Sequence, residues 1–485
     1  MFNKKIIFKI LGSLLYIEGF FMMICMVMSI AMHDDDSMAF LISMLLTILS
    51  GTAMRYYGMN AENSLSRRDA YLVVTFSWIL FSLYGTLPFL ISGYLNSFTN
   101  AFFENMSGFT TTGATIIDNV EALPSGLLFW RSLTQWIGGL GIVFFTIALL
   151  PSLVGGSTRV FAAEATGPIR TKLHPRLSTS AKWIWSVYFM LTVGCMGSYM
   201  FFGMNWFEGL NFAMTTTATG GFSIYNASTE HFNSPALDYV TTLFCFLSGV
   251  NFPLLYFSLA KFKIHELFRN SEFRLYFFLV MGFTLFITFE LVYYNDYSFR
   301  HAFRSAIFQV VSFITTTGLF NDDAAKWPHV TWVVLSVCMF IGACSGSTSG
   351  GMKCIRGVML IKVVKNEFIQ LLHPNASLPL HVDGNNVTPS KRVTLLAFLT
   401  MYLMLCLLCA FAMIAAGIDN TNAITITLSS IGNVGPTLGT EIGPTMSWND
   451  LPIFAKWISS FLMLVGRLEI FSVLVILTPQ FWTRS

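Results

Sequence analysis

Apolar positions along this chain fall in long unbroken runs. They show neither the alternation of strands nor the one-sided stripes of soluble helices. Such runs lie at 6–32, 38–54, 70–94, 126–153, 184–204, 236–260, 274–293, 329–366, 392–417 and 455–479. Each is long enough to cross a hydrocarbon core of about 30 Å as a helix, so the pattern predicts ten membrane helices. No stretch between them is long enough for a separate soluble domain. The first run far exceeds the roughly 7–15 residues of a secretory signal core, and no small-residue cleavage site follows it; it is expected to stay as a span. Four shorter apolar stretches, 98–110, 207–217, 300–315 and 421–430, sit between spans. They are too short to cross and suit re-entrant helices that dip in and stop. Non-helical backbone at that depth is tolerated only where protein or a water-filled cavity surrounds it.

Each short stretch ends in small residues around a glycine. The four copies read TTGAT (Thr111–Thr115), ATGGF (Ala218–Phe222), TTGLF (Thr316–Phe320) and NVGPT (Asn433–Thr437). With Gly113, Gly220, Gly318 and Gly435 aligned, the copies are 107, 98 and 117 residues apart. The adjacent Gly220 and Gly221 leave the second register uncertain by one residue; Gly220 is the one aligned here. The expected fold is an all-α membrane protein of four pseudo-repeated units around one pore, each a span, a pore helix, a filter strand and a second span. The units are 58–155, 156–262, 263–370 and 371–485, preceded by a two-helix hairpin at 1–57. A cation entering a narrow pore needs oxygens to replace its water, and backbone carbonyls from four strands around an axis supply them. Glycine allows the backbone angles that turn successive carbonyls inward. The partially negative C-termini of the four short helices would favour a cation there. The candidate ligands are Thr111, Thr112 and Gly113; Ala218, Thr219 and Gly220; Thr316, Thr317 and Gly318; and Asn433, Val434 and Gly435.

Composition narrows the function classes. Charged residues make up 11% of the 485 residues and hydrophobic ones 54%; soluble domains carry about 25% charged residues, so lipid must be the main solvent. A net charge of +3 gives no argument for nucleic acid. The eight cysteines lie in or beside apolar runs without metal-ligand spacing and read as small hydrophobes. The eight histidines form no cluster, and no acid–base pair or nucleophile constellation points to an enzyme. With both termini inside, 22 of the 28 basic residues fall on the cytoplasmic side, mainly in segments 159–182, 261–274 and 353–392.

Two features sit below the four strands. The segment 342–353 holds Gly342, Ser345, Gly346, Ser347, Thr348, Ser349, Gly350 and Gly351 inside the long run 329–366. Glycine costs roughly 1 kcal/mol against alanine in a helix interior, so four of them should break the helix. Either small residues mediate a close helix crossing, or a flexible loop blocks the pore. Arg467 lies about 18 Å into the last run at 1.5 Å per residue, near mid-membrane, where an arginine faces a cavity or a partner. Glu469 is too close in sequence to share its helix face. Arg131, near the start of its run, reads as an interface anchor. Glu104, Asp118 and Glu121 fit either a cation-attracting mouth or an ordinary solvated rim. Glu18, Glu290 and Glu469 are the acids well inside spans.

The stretches SGFTTTGAT, RSLTQWIGGLGI (131–142), TATGGFS, GACSGSTSGGMK (342–353), NVGPTLG and GRLEIFSVL (466–474) resemble the Trk/Ktr/HKT superfamily of potassium transporters, over nearly the whole chain. The hairpin at 6–54 favours its TrkH branch over KtrB, which lacks it. The resemblance implies potassium as both substrate and filter ligand, with no covalent cofactor. Glycine at all four central positions favours potassium, since serine at the first is the family's sodium-associated variant. It also implies a gating role for 342–353 and a pore-facing electrostatic barrier at Arg467. The expected setting is the bacterial inner membrane, as a homodimer docking a cytosolic, TrkA-like nucleotide-binding subunit. Proton- or sodium-coupled symport is the alternative to channel-like conduction.

Overall fold

The apolar runs become helices. The computed structural model describes residues 2–61, 65–141, 177–260, 265–376, 378–439 and 442–483. Helices α1 (Lys4–Met32) and α2 (Ser37–Tyr57) form the expected hairpin, with the backbones closest where Gly12 meets Gly51. Small residues let membrane helices approach this way, where lipid supplies no hydrophobic drive between them. The acidic turn between the two helices has a structural task. Asp34 and Asp36 accept hydrogen bonds from the Ser125 and Leu127 N–H groups (2.7 and 2.9 Å), capping helix α6. Carboxylates at a helix N-terminus satisfy its unpaired donors and oppose its dipole.

The chain continues through α3 (Arg67–Gly85) and α4 (Leu87–Ser92), which together make one span, then α5 (Phe98–Phe109) and α6 (Ser125–Leu140). Next come α7 (Leu177–Phe201), α8 (Trp206–Thr217), α9 (Pro235–Ser248), α10 (Phe252–Ala260) and the short α11 (His265–Arg269). The third group is α12 (Ser271–Tyr294), α13 (Phe299–Ile314), α14 (His329–Ile341) and α15 (Cys354–Leu372). The last is α16 (Pro389–Ala415), α17 (Asn420–Gly432), α18 (Ile453–Arg467), α19 (Phe471–Leu477) and α20 (Pro479–Trp482). Among the described residues the only strand pairing is a two-residue ladder, His381–Val382 with Asn385–Asn386. The architecture is all-α, and large apolar side chains such as Leu49, Phe289, Leu407 and Phe411 remain exposed on the outside, where lipid lies. The four short stretches are helices α5, α8, α13 and α17, and their last turns are buried on every face.

Among the described residues six helices are long and apolar enough to cross, and two further candidates are bent pairs: α9 with α10 at 105°, and α18 with α19 at 117°. The run 329–366 is broken over 342–353, as its glycines predicted. Helix α6 ends at Gly141 (φ 92°), and the rest of run 126–153 lies outside the described residues, as does most of the basic segment 159–182 and part of 261–274. The unforeseen bends have local causes. After Gly249, the Asn251 side chain accepts from the Leu254 N–H (3.0 Å) and starts a new helix with Pro253 in its first turn. After Gly466, Glu469 and Ile470 both take positive φ (54° and 59°), which ends α18. Among the described residues the runs 236–260, 329–366 and 455–479 are therefore each interrupted beside a glycine.

Candidate functional site

The four short helices end alike. A left-handed residue closes each, just after the cap at Thr111, Thr219 and Thr316 and at the cap itself in Asn433, at φ 54°, 52°, 56° and 55°. The next N–H reaches back five residues, from Thr112 to Ser107, Gly220 to Thr215, Thr317 to Ser312 and Val434 to Ser429, at 2.8–2.9 Å. This is the Schellman closure, usually made by glycine. Threonine there is a genuine outlier, costing about 1–3 kcal/mol per residue, and such strain concentrates at functional sites. Two residues later the backbone turns left-handed again, at Gly113, Gly221, Gly318 and Gly435 (φ 83°, 81°, 80° and 100°).

That pattern corrects the second register. The structural equivalent of Gly113 is Gly221, not Gly220, and Ala218 is the cap residue of α8 rather than part of the strand. Three of the twelve expected positions in the strands therefore shift by one: Thr219, Gly220 and Gly221 replace Ala218, Thr219 and Gly220. The packing agrees. A Cβ on Gly113 would collide with the Gly220 carbonyl oxygen, one on Gly221 with that of Thr317, one on Gly318 with that of Val434, and one on Gly435 with that of Thr112. Each glycine thus abuts the residue before the glycine of the next strand, and the fourth strand returns to the first. The strands form a closed cycle. Gly113, Gly221 and Gly318 keep partial exposure while nearly all their neighbours are buried.

A buried polar brace stands behind the first two strands. Glu104 on α5 accepts from the Thr115 hydroxyl (2.9 Å) and the Ile116 N–H (3.0 Å). Arg131 on α6 pairs with Glu104 at 2.9 Å, donates to the Ser223 carbonyl (2.9 Å) and lies 4.2 Å from the Phe222 ring centroid. Arg131 is 2% exposed and Glu104 1%, so neither is an interface anchor or a solvated rim group. Their pairing, 27 residues apart, has no local signature in the sequence. Asp118 and Glu121 do lie exposed at the rim, where Asp118 accepts from Ser447 and Asn449 and Glu121 from the Asn226 N–H. Asn433 ties the fourth strand to the first through Thr112 (3.0 Å) and also donates to the Met463 carbonyl.

The segment 342–353 lies directly against this cycle. Gly350 N–H donates to the Thr316 hydroxyl (2.7 Å), and the Thr348 hydroxyl donates to the carbonyls of Thr217 (3.1 Å) and Ser248 (3.3 Å). Gly342, Gly346 and Gly351 take φ 69°, 72° and 74°, turns that a side chain would strain. Ser347 bonds the Cys344 carbonyl and meets Ser349 at 3.0 Å. Glu272, which the sequence did not single out, accepts from both Ser345 N–H and Ile355 N–H, so one carboxylate holds both feet of the loop. Lys353, counted by sequence among the cytoplasmic charges, is buried and donates to the Ser349 carbonyl.

Arg467 closes the arrangement. It is the last residue of α18, not a mid-helix one, and its guanidinium donates to Thr348 O (2.8 Å) and to Gly138 O and Gly139 O (2.6 Å each). It thereby links the loop to the broken end of α6. Glu469 instead pairs with Arg356, which stacks 3.8 Å from the Phe398 ring centroid.

Comparison with known proteins shows the family. A model of the TrkH family, described as cation transport proteins, matches residues 36–483. The chain is 35% identical to the Trk system potassium uptake protein TrkH of Halomonas elongata, over 99% of this chain and 100% of that one. It is likewise 35% identical to the TrkH of Escherichia coli K12, over 99% of both. The crystal structure of the potassium transporter TrkH from Vibrio parahaemolyticus superposes with a TM-score of 0.88 at 33% identity, covering 99% of each chain. The chain belongs to the TrkH family of cation transport proteins.

Proposed function

We propose that this protein carries potassium into the cell across the bacterial inner membrane, through the ring of strands at Thr111–Gly113, Thr219–Gly221, Thr316–Gly318 and Asn433–Gly435. The closed cycle of four strands at the ends of four short helices carries this reading. Alternating left- and right-handed residues turn successive carbonyls to one side, which is what replacing the water shell of an ion requires. Four helix C-termini add a partial negative charge of about half a unit each. Ion entry is rate-limited by the loop 342–353, a reading supported by its bond from the Gly350 N–H to the Thr316 hydroxyl. Arg467 and Lys353 add positive charge beside that loop and repel a cation until the loop moves.

The four-unit division given above, the homodimer, cytoplasmic termini and a nucleotide-binding regulator belong to the same reading, supported by the likeness to Trk system proteins. Coupled symport is the second reading. It draws on Glu18, buried in α1 with both carboxylate oxygens unpartnered among the described residues. Potassium flux into liposomes holding only this chain, with and without a proton gradient, separates the two. Flux driven by the potassium gradient alone supports conduction; flux that needs the proton gradient overturns it in favour of symport.

A further inference from the structure

The second strand lacks the restraints that hold two of the others. In the first repeat the hydroxyls of Thr110 and Thr112 pair at 2.9 Å, and in the third those of Thr315 and Thr317 pair at 2.8 Å. Each pair ties the helix cap to the middle residue of its strand. The second repeat has Ala218 and Gly220 at these two places, with no hydroxyl at either, and Gly221 follows. Two consecutive glycines should make this strand the loosest of the four.

The missing restraint comes from another repeat. Gln135, fully buried on α6, fills the space beside Gly220: a Cβ there would lie 2.5 Å from Gln135 Cδ and 2.6 Å from its Oε1. Its amide makes two bonds across Gly221. Nε2 donates to the Gly220 carbonyl (2.7 Å), and Oε1 accepts from the Phe222 N–H (3.0 Å). Arg131, one helical turn earlier on the same face, holds a carbonyl further along the same stretch, Ser223 O. The Gly220 carbonyl is equivalent to those of Thr112, Thr317 and Val434 in the ring, and of these four it is the one to which a side-chain amide is bonded among the described contacts.

We propose that Gln135 is a specificity-determining positioning residue, setting the cation preference of the ring by fixing the Gly220–Gly221 strand from outside it. Its amide replaces the side chain that Gly220 lacks, and the bond to Gly220 O fixes both the direction and the charge of one carbonyl in the ring. This inference rests on the ring being the ion filter. The test is the potassium-to-sodium flux ratio in liposomes for Gln135→Ala, Gly220→Thr and the double variant, with melting temperature measured on each. Gln135→Ala removes both bonds; a change of about 1 kcal/mol in the relative binding of the two cations should lower the ratio about fivefold while potassium still passes. Gly220→Thr, which clashes with Gln135, should lower it too. The double variant, where the new threonine fills the space that Gln135 vacates and stiffens the backbone at 220, should recover part of the ratio. An unchanged ratio in Gln135→Ala, or a double variant no better than the two losses combined, overturns the proposal. Should Gln135→Ala fail to fold, Gln135→Met fills the same volume without the amide and is read the same way. Gly113→Ser is the control for the underlying reading: an unchanged ratio there refutes the filter itself, independently of Gln135.

Discussion

Replacing Glu272 with alanine releases both feet of the loop at once. Its carboxylate is 4% exposed and accepts from Ser345 N–H (2.5 Å), Ile355 N–H (3.0 Å) and the Ser345 hydroxyl (3.0 Å). Ser345 and Ile355 bracket most of the segment 342–353, so this one group sets the separation of its ends. The hydroxyl can turn to another acceptor, whereas the two backbone donors cannot. Leaving each of those unpaired costs about 1.5 kcal/mol, or about 3 kcal/mol together. At 1.4 kcal/mol per tenfold, the closed loop loses about two orders of magnitude in population relative to displaced forms. The loop keeps its other ties, to Thr217, Ser248, Thr316 and Arg467, so the protein should still fold. Potassium flux from purified protein in liposomes reads the effect. Glu272→Ala should raise basal flux by tens- to a hundredfold, and Glu272→Gln, which retains one oxygen for the two N–H groups, should stay near the parent. A folded Glu272→Ala protein with parental or lower flux would refute the view that the loop, held as it is here, limits passage.

Four other outcomes follow from the geometry. Gly221→Ala should abolish potassium flux, because φ is 81° there and a Cβ would strike the backbone oxygen of Thr317. Gly220→Ala should be milder, since the atoms nearest its Cβ belong to the side chain of Gln135 rather than to backbone; the reverse order would restore the original register. Arg131→Leu leaves Glu104 buried and uncompensated, at a cost of about 3–5 kcal/mol, and should lower the melting temperature and the yield of folded protein. Arg131→Leu combined with Glu104→Leu should be less damaging than Arg131→Leu alone; equal damage would mean that the pair is not coupled.

Much of this was legible because membrane helices advertise themselves by length, and because four copies of one glycine motif reinforce each other. The short helices matched to within two residues for that reason. The slip at Gly220 also has a physical origin. In TATGG either glycine can be aligned, and only the point where α8 ends, marked by left-handed Thr219, decides between them. Apolar content says nothing about bends, so the breaks after Ser248 and Arg467 lay hidden in continuous runs. The Gly–Val–Asn–Phe–Pro sequence at 249–253 was the available signal for the first, as a glycine stop followed by an Asn cap and a first-turn proline. The side chains of Glu104, Arg131 and Gln135 bond backbone atoms beside both the first and the second strand, and no spacing rule reaches such contacts. Arg467 was noticed for its depth, but its carbonyl partners depended on two helix breaks that only the folded chain reveals.

The central claim is that cations lose their water inside the ring formed by these four strands. Anomalous diffraction from crystals of the protein grown with thallium or rubidium in place of potassium tests it most directly. Anomalous density is expected on the axis between Thr111–Gly113, Thr219–Gly221, Thr316–Gly318 and Asn433–Gly435, and should be lost when sodium replaces the heavy cation. Strong density elsewhere in the membrane region, with none on that axis, would contradict it.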